Sequence, residues 1–127
     1  MVRFALLFSS IVACAVLMSP SPAPAIDNCP PLPISQLSTC KCSTQNYGTG
    51  ADAGVKITLY NSAGVVVTFC PESGTQSVPA KASFSCSSDF EDSDTCGCQV
   101  TGEGASTRSS LSRTDGNGNA LASVQCN

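Results

Sequence analysis

The residues best suited to chemistry in this chain are its cysteines, because the sequence holds no histidine and no tryptophan. A thiol can act as a nucleophile, bind a metal as the thiolate, or form a disulfide. Without histidine, Ser-His-Asp and Cys-His catalysis lack their base, and the commonest metal ligand is missing. We therefore expect a protein that is not an enzyme, with no catalytic residues, no cofactor and no metal site.

The cysteine spacing consists of two copies of one pattern. The pattern is C-x(9–10)-C-x-C-x27-C, and the copies span residues 29–70 and 86–126, with 15 residues between them. Such an internal repeat predicts two copies of one supersecondary unit related by a pseudo-twofold axis. The cysteines expected to form disulfides are Cys29, Cys40, Cys42, Cys70, Cys86, Cys96, Cys98 and Cys126.

Eight cysteines allow 105 connectivities. We expect the two cysteines of a C-x-C pair to project to opposite faces of a strand and so to take different partners. One would close its own 27-residue loop, and the other would join the two halves. Zinc or copper binding by these pairs is the alternative, but an oxidising compartment favours disulfides.

Residues 1–25 have the pattern of a secretory signal peptide. Arg3 supplies the positive start, residues 4–18 are mostly apolar, and residues 23–25 form a small-residue cleavage site. The apolar run is too short to predict a transmembrane segment. Cys14 would leave with this peptide, so the mature chain, residues 26–127, keeps an even number of cysteines. We expect that chain to be secreted, in the extracellular space or the cell wall.

The mature chain is acidic and poor in apolar residues. It has five basic and nine acidic residues, a formal charge of −4, which argues against binding nucleic acid. A small domain with so little to bury needs covalent crosslinks, and each disulfide typically contributes about 2–4 kcal/mol. We expect disulfides to hold this fold together.

Strand and turn signals predict a mainly β fold: a small disulfide-stapled barrel or sandwich built from two hairpin-bearing halves. Residues 26–39 are predicted as an extended Pro-rich arm and 40–127 as the cysteine-rich β domain. A short helix over 79–84 is an open alternative. The predicted elements are a hairpin of 55–60 and 65–69 with a turn at 61–64, a strand over 81–85, and a second hairpin of 109–114 and 120–125 with a turn at 115–118.

The order of single and paired cysteines resembles that of the fungal hydrophobins, which are small, secreted, eight-cysteine proteins with a β-barrel of two hairpins. The segment from Cys70 to Cys86, with Val78-Pro79 inside it, is similar to the linker between their fourth and fifth cysteines. Lys41 and Gly97 separate cysteines that are adjacent in that family. The resemblance implies a surface or cell-wall protein that self-assembles at interfaces, and the disulfides Cys29–Cys96, Cys40–Cys86, Cys42–Cys70 and Cys98–Cys126.

A surface-active protein needs an exposed apolar patch. The first hairpin is the segment that could furnish one, although the alternation of its apolar side chains favours a core position. These side chains are Val55, Ile57, Leu59, Val65, Val67 and Phe69.

A second, shorter resemblance concerns residues 48–60, GTGADAGVKITLY, which are similar to the G-T-D-A-x-V-x-I-T-L-Y stretch of PLAT (lipoxygenase-homology) domains. Residues 84–90 are similar to a later strand of plant secreted relatives. The resemblance implies a β-sandwich that binds lipids or proteins. The alternative function is therefore a soluble cysteine-rich effector or PLAT-like module with an extracellular protein or lipid partner, contacted through polar loops such as 99–119.

Four carboxylates fall within residues 89–94. A weak Ca²⁺ loop is one interpretation, but the cluster lacks the closing Glu and mid-loop Gly of an EF-hand, and a solvated acidic loop is favoured. Phe90, flanked by these charges, is predicted to be an exposed contact anchor.

Overall fold

The computed structural model describes residues 25–34, 37–91, 94–104 and 106–127. Within these ranges the chain forms two antiparallel sheets, and no helix is present. The strands are β1 (Ala25–Pro33), β2 (Ser38–Asn46), β3 (Asp52–Tyr60), β4 (Val66–Cys70), β5 (Gln76–Val78), β6 (Ser83–Phe90), β7 (Thr95–Glu103), β8 (Thr107–Thr114) and β9 (Ala120–Gln125). The prediction of a small disulfide-stapled β fold is confirmed, with the sandwich as its architecture. Apart from Ala25, the predicted signal peptide lies outside the described residues.

The two sheets interleave the two halves of the chain. The first has the order β1-β7-β3-β4, with β5 also beside β3, and the second has the order β6-β2-β8-β9. Strand β2 thus lies among strands of the second half, and β7 among strands of the first. The two sheets have equivalent strand orders. By their places in the cysteine pattern, strands β1, β7, β3 and β4 correspond to β6, β2, β8 and β9. Exchanging the two cysteine copies therefore turns the order of the first sheet into that of the second.

Both predicted hairpins are present, as β3–β4 and β8–β9. Their strands are rich in β-branched residues or flank a Gly-containing turn, which makes them recognisable in the sequence. The predicted strand over 81–85 begins later, at Ser83, and continues to Phe90. Residues 79–82 form a turn instead of the alternative helix: Lys81 has φ 63°, and the Ala82 N–H donates to the Pro79 carbonyl at 3.1 Å.

The segment predicted as an extended arm is part of the sandwich. Strand β1 is extended, but it pairs along β7, from Ala25 beside Glu103 to Pro33 beside Thr95. Its prolines fit because β1 is an edge strand, where an absent N–H costs little. The register shifts between Cys29 and Leu32, where Pro30 and Pro31 lie.

Strands β2 and β7 carry no conventional strand signal. In β2 the buried side chains are those of Ser38, Cys40, Cys42, Thr44 and Asn46, which alternate with more exposed residues. The alternation is that of a strand with one buried face, but polar and sulfur-containing side chains take the places usually held by Val or Ile.

The core between the sheets is small and combines aliphatic side chains with disulfides. Its fully buried aliphatic residues are Val55, Ile57, Leu59, Val78, Val100 and Leu111. Phe90 belongs to this core, with 3% of its surface exposed, so the prediction of an exposed anchor is wrong. Phe90 lies four residues after Cys86 on β6 and therefore shares its inward face.

Strand β7 approaches β3 closely at Gly102. A Cβ atom at Gly102 would lie 2.2 Å from the carbonyl oxygen of Gly54, and both glycines have positive φ. Only glycine permits this approach without displacing backbone. Among the described residues there is no helix with the length and apolarity to cross a bilayer.

Candidate functional site

Four disulfides connect the two sheets. They are Cys29–Cys126, Cys40–Cys96, Cys42–Cys98 and Cys70–Cys86. All eight cysteines predicted to be bonded are therefore bonded. Each bond joins one sheet to the other and also one copy of the cysteine pattern to the other copy. Exchanging the two copies maps Cys29–Cys126 onto Cys70–Cys86 and maps each of the other two bonds onto itself.

The connectivity implied by the hydrophobin resemblance is wrong for all four bonds. The expectations that the cysteines of a C-x-C pair project to opposite faces and that one of them closes its own 27-residue loop are also wrong. Side chains two residues apart on a strand lie on the same face. Cys40 and Cys42 therefore both enter the core from β2, where they meet the equivalent pair on β7. This same-face rule is the sequence signal that could have suggested pair-to-pair bonding.

Two of the disulfides lie side by side in the core. The sulfur atoms of Cys29, Cys42 and Cys98 are within 4.8 Å of one another. All three are engaged in disulfide bonds, so they do not offer the thiolates through which cysteine binds zinc or copper.

Strand β4 and the residue before it carry an exposed apolar surface, here called the apolar edge. It consists of Val65, Val66, Val67 and Phe69, which are 59%, 47%, 40% and 38% exposed. Val55, Ile57 and Leu59 of β3 in the same hairpin, by contrast, are fully buried. Of the six apolar residues that the sequence marked in this hairpin, the three on β3 are in the core and the other three, at 65–69, are exposed.

Register explains the exposure of β4. Val66 pairs with Tyr60 and Phe69 pairs with Thr58, and those β3 residues alternate with the buried Ile57 and Leu59. Cross-strand partners lie on the same face of a sheet, so Val66 and Phe69 are on the outer face. Among the described residues β4 is the last strand of its sheet, so no strand pairs with its outer edge.

The outer face of the first sheet is otherwise mixed. The Lys56 ammonium lies 4.6 Å from the centroid of the Phe69 ring, a cation–π contact. The Tyr60 hydroxyl donates to the Gln99 Oε1 at 3.3 Å, and the Gln99 Nε2 donates to the Asn28 Oδ1 at 3.0 Å. The apolar edge thus borders a hydrogen-bonded polar strip.

The outer face of the second sheet is dominated by alcohols and is here called the hydroxyl face. Lys41 pairs with Ser87 and Ser112, and Ser43 pairs with Ser85 and Ser110, so the rows run across the sheet. These residues alternate with the buried cysteines of β2 and therefore point outward. The members of the hydroxyl face are Thr39, Ser43, Ser83, Ser85, Ser87, Ser110, Ser112, Thr114 and Ser123.

A depression of about 270 Å³ lies at one end of the hydroxyl face and is here called the polar depression. Its lining residues are Ser43, Thr44, Gln45, Tyr47, Ser83, Arg108, Ser110 and Gln125. No pattern in the sequence marked this set, because its members come from four strands and one loop.

Asp89 and Asp94, at the two ends of the acidic segment 89–94, have separate local partners. Thr39 Oγ1 donates to Asp89 Oδ1 at 2.6 Å. Asp94 Oδ1 accepts the backbone N–H groups of Ser62 at 2.8 Å and Thr95 at 2.7 Å. Hydrogen bonds, first from the side chain of Ser62 and then from these backbone groups, lower the pKa of Asp94. Asp92 and Ser93 lie outside the described residues.

Comparison of the chain with protein families, with curated proteins and with solved structures finds no match.

Proposed function

We propose that this protein is a secreted, non-enzymatic, hydrophobin-like surface or cell-wall protein that assembles at interfaces through its apolar edge. The observation that carries the proposal is the exposure of four apolar side chains within residues 65–69, at the last strand of its sheet in the described part of the chain. Disulfide-rich small proteins are typical of oxidising extracellular compartments, which supports secretion.

The apolar edge cannot turn inward to relieve its exposure. The inward places on β4 are already taken: Thr68 pairs with the buried Leu59, and Cys70 is bonded to Cys86 on the facing sheet. The disulfide therefore fixes which face of β4 meets solvent. At an air–water or lipid interface the exposed apolar surface leaves water, with a gain of about 25 cal/mol per Å² buried.

The contrast between the outer surfaces makes the molecule amphiphilic. The apolar edge belongs to the first sheet, whereas the second sheet presents the hydroxyl face. Adsorption through the edge leaves the hydroxyl face in water, so a layer of molecules would replace an apolar boundary by a hydroxylated one.

The test measures the surface tension of dilute, oxidised protein, residues 26–127, together with the variant Val67→Ser and the reciprocal variant Ser123→Val. Val67 and Ser123 are matched, since each lies three residues before the cysteine that closes its hairpin. Removing one exposed valine costs about 1 kcal/mol of adsorption free energy, so Val67→Ser should need a roughly fivefold higher concentration for the same surface pressure. Ser123→Val should need no higher concentration than the unmodified protein.

If the fold holds the apolar edge exposed, reduction of the disulfides should abolish the lowering of surface tension. An oxidised protein that leaves surface tension unchanged contradicts the proposal. The proposal would also be contradicted if both variants needed the same higher concentration to reach a given surface pressure, because the apolar edge would then have no special role.

A second candidate is a soluble extracellular binding module, effector or PLAT-like, with a protein or lipid partner. The polar depression favours a binding role, since it gathers neutral polar side chains and one guanidinium in a single concave site.

A further inference from the structure

The polar depression is built by the register of the second sheet. Gln45 on β2 pairs with Ser83 on β6 and with Arg108 on β8, which forms one row across three strands. In the next row Ser43 pairs with Ser110, and Ser110 pairs in turn with Gln125 on β9. Neighbouring strands lie about 4.8 Å apart, so the outward side chains of the two rows form a closely spaced polar array.

Several of these side chains have hydrogen-bonding capacity to spare. The hydroxyls of Ser43, Ser83 and Ser110 and the amide of Gln125 make no side-chain hydrogen bond to another described residue. The oxygen of the Gln45 amide accepts a hydrogen bond, which leaves the two N–H groups of that amide as donors. The depression therefore offers both hydrogen-bond donors and acceptors.

Tyr47 contributes a solvent-exposed aromatic ring, and hydrogen bonds fix the backbone that carries it. Its N–H donates to the Ser106 carbonyl at 3.0 Å, and its carbonyl accepts from the Lys81 ammonium. Its hydroxyl donates to the Gln45 Oε1 at 2.9 Å. With these three contacts the side chain is still 53% exposed, so the ring is available at the depression without a rearrangement of the chain.

Arg108 supplies the cation of the site. Its Nη1 donates to the Thr107 carbonyl at 2.7 Å. A guanidinium is planar and carries five donors, so it pairs well with vicinal hydroxyls or with a carboxylate. The residues that line the depression include no aliphatic side chain and no carboxylate.

We propose that the polar depression binds an oligosaccharide. A sugar ring has an apolar C–H face that packs on an aromatic ring and a rim of hydroxyls that pair with amides, alcohols and guanidinium groups. Tyr47 provides the aromatic contact, and Gln45, Gln125, Arg108 and the serines provide the polar partners. The site is separate from the apolar edge, because it lies on the opposite sheet, and so does not depend on interfacial assembly.

The experiment titrates the oxidised protein, residues 26–127, with chitohexaose, laminarihexaose and hexagalacturonate. Because the chain has no tryptophan and only two tyrosines, its fluorescence reports Tyr47 and Tyr60. The variant Tyr60→Phe leaves Tyr47 as the only tyrosine reporter. We expect a saturable fluorescence change with at least one hexasaccharide, retained in Tyr60→Phe. A response to hexagalacturonate alone supports the proposal and identifies a carboxylate as the group bound at Arg108.

Calorimetry on Tyr47→Ala and Arg108→Gln completes the test, with Tyr60→Ala on the other sheet as the matched control. We expect affinity to fall at least tenfold in the first two variants and to stay within about twofold in the control. Arg108→Gln keeps a polar side chain but removes the charge and the guanidinium fork, so it reports on the site even if Tyr47→Ala unfolds. Absence of saturable binding to all three sugars at millimolar concentration, or equal weakening in Tyr60→Ala, would overturn the proposal.

Discussion

Asn61 and Asp115 accept equivalent backbone hydrogen bonds in the two hairpin turns, but Asn61 is neutral and Asp115 is an acid. Asn61 Oδ1 accepts the N–H groups of Ala63 at 3.1 Å and Val65 at 2.9 Å. Asp115 Oδ1 accepts those of Asn117 at 2.9 Å and Asn119 at 2.8 Å. In each turn, therefore, one side-chain oxygen holds the backbone two and four residues later. The turns were predictable because this use of Asn and Asp beside Gly is local.

The charge difference predicts a difference in acid sensitivity. The side chain of Asn119, followed by its backbone N–H, lowers the pKa of Asp115 below its ordinary 3.8. A lowered pKa in the folded state contributes stability above the unfolded value, and this contribution is lost as pH falls through the folded value. Between about pH 5 and pH 2, Asp115→Asn should therefore lose less thermal stability than the unmodified protein.

The reciprocal substitution provides the control. Asn61→Asp should add a second acid-sensitive turn and lose more thermal stability than the unmodified protein over the same pH range. The measurement is the melting temperature of each variant as a function of pH. Parallel curves for all three proteins would show that neither turn carboxylate is stabilised by its hydrogen bonds.

At the scale of whole elements, the sequence predicts the hairpins better than the sheets. Segment 55–69 carries β-branched residues and a Gly-containing turn, and segment 109–125 carries a strong Gly-containing turn, so the pairing in each follows from local chemistry. Strands β1, β2 and β7 lack that signal, since proline occupies three positions of β1, and cysteine, glycine and polar residues occupy most positions of β2 and β7. The sequence also marked Val65, Val67 and Phe69 of the apolar edge, but not Val66, and only the structure shows that these side chains are exposed.

Strand β7 offers a matched pair of glycines. Gly102→Ala places a methyl group against the Gly54 carbonyl at a residue with φ 82°, whereas a methyl group at Gly97 would have no atom within 4 Å. We expect Gly102→Ala to lower the free energy of unfolding by about 2–3 kcal/mol. Gly97→Ala should change it by less than about 1 kcal/mol. Denaturant unfolding of both variants tests this, and equal midpoints would contradict the close approach of β7 and β3.

The arrangement of the whole molecule depends on disulfides between cysteines far apart in the sequence. The cysteine spacing alone does not determine how these cysteines pair. Each disulfide crosses between sheets and between cysteine copies. The eight participating residues were therefore predictable from composition and spacing, whereas the partners were not, because pairing depends on which strands face each other across the core.

Peptide mapping of the unreduced protein tests the connectivity. Cleavage after Lys, Arg and Glu separates residues 57–72, which contain Cys70, from residues 82–91, which contain Cys86. We expect these two peptides to be released as one crosslinked product. A product joining 42–56 to 57–72 would instead indicate the Cys42–Cys70 bond of the hydrophobin pattern and would contradict the interleaved sandwich.

The interleaving of the two halves affects which disulfides can form while the chain is being synthesised. As synthesis proceeds from the N-terminus, Cys29, Cys40, Cys42 and Cys70 emerge before any of their native partners. Any bond closed among those four thiols during that interval is non-native and must be reopened. The longest wait is that of Cys29, whose partner follows 97 residues later. Wherever such early bonds form, native pairing therefore requires a thiol redox buffer or a disulfide isomerase that can undo them.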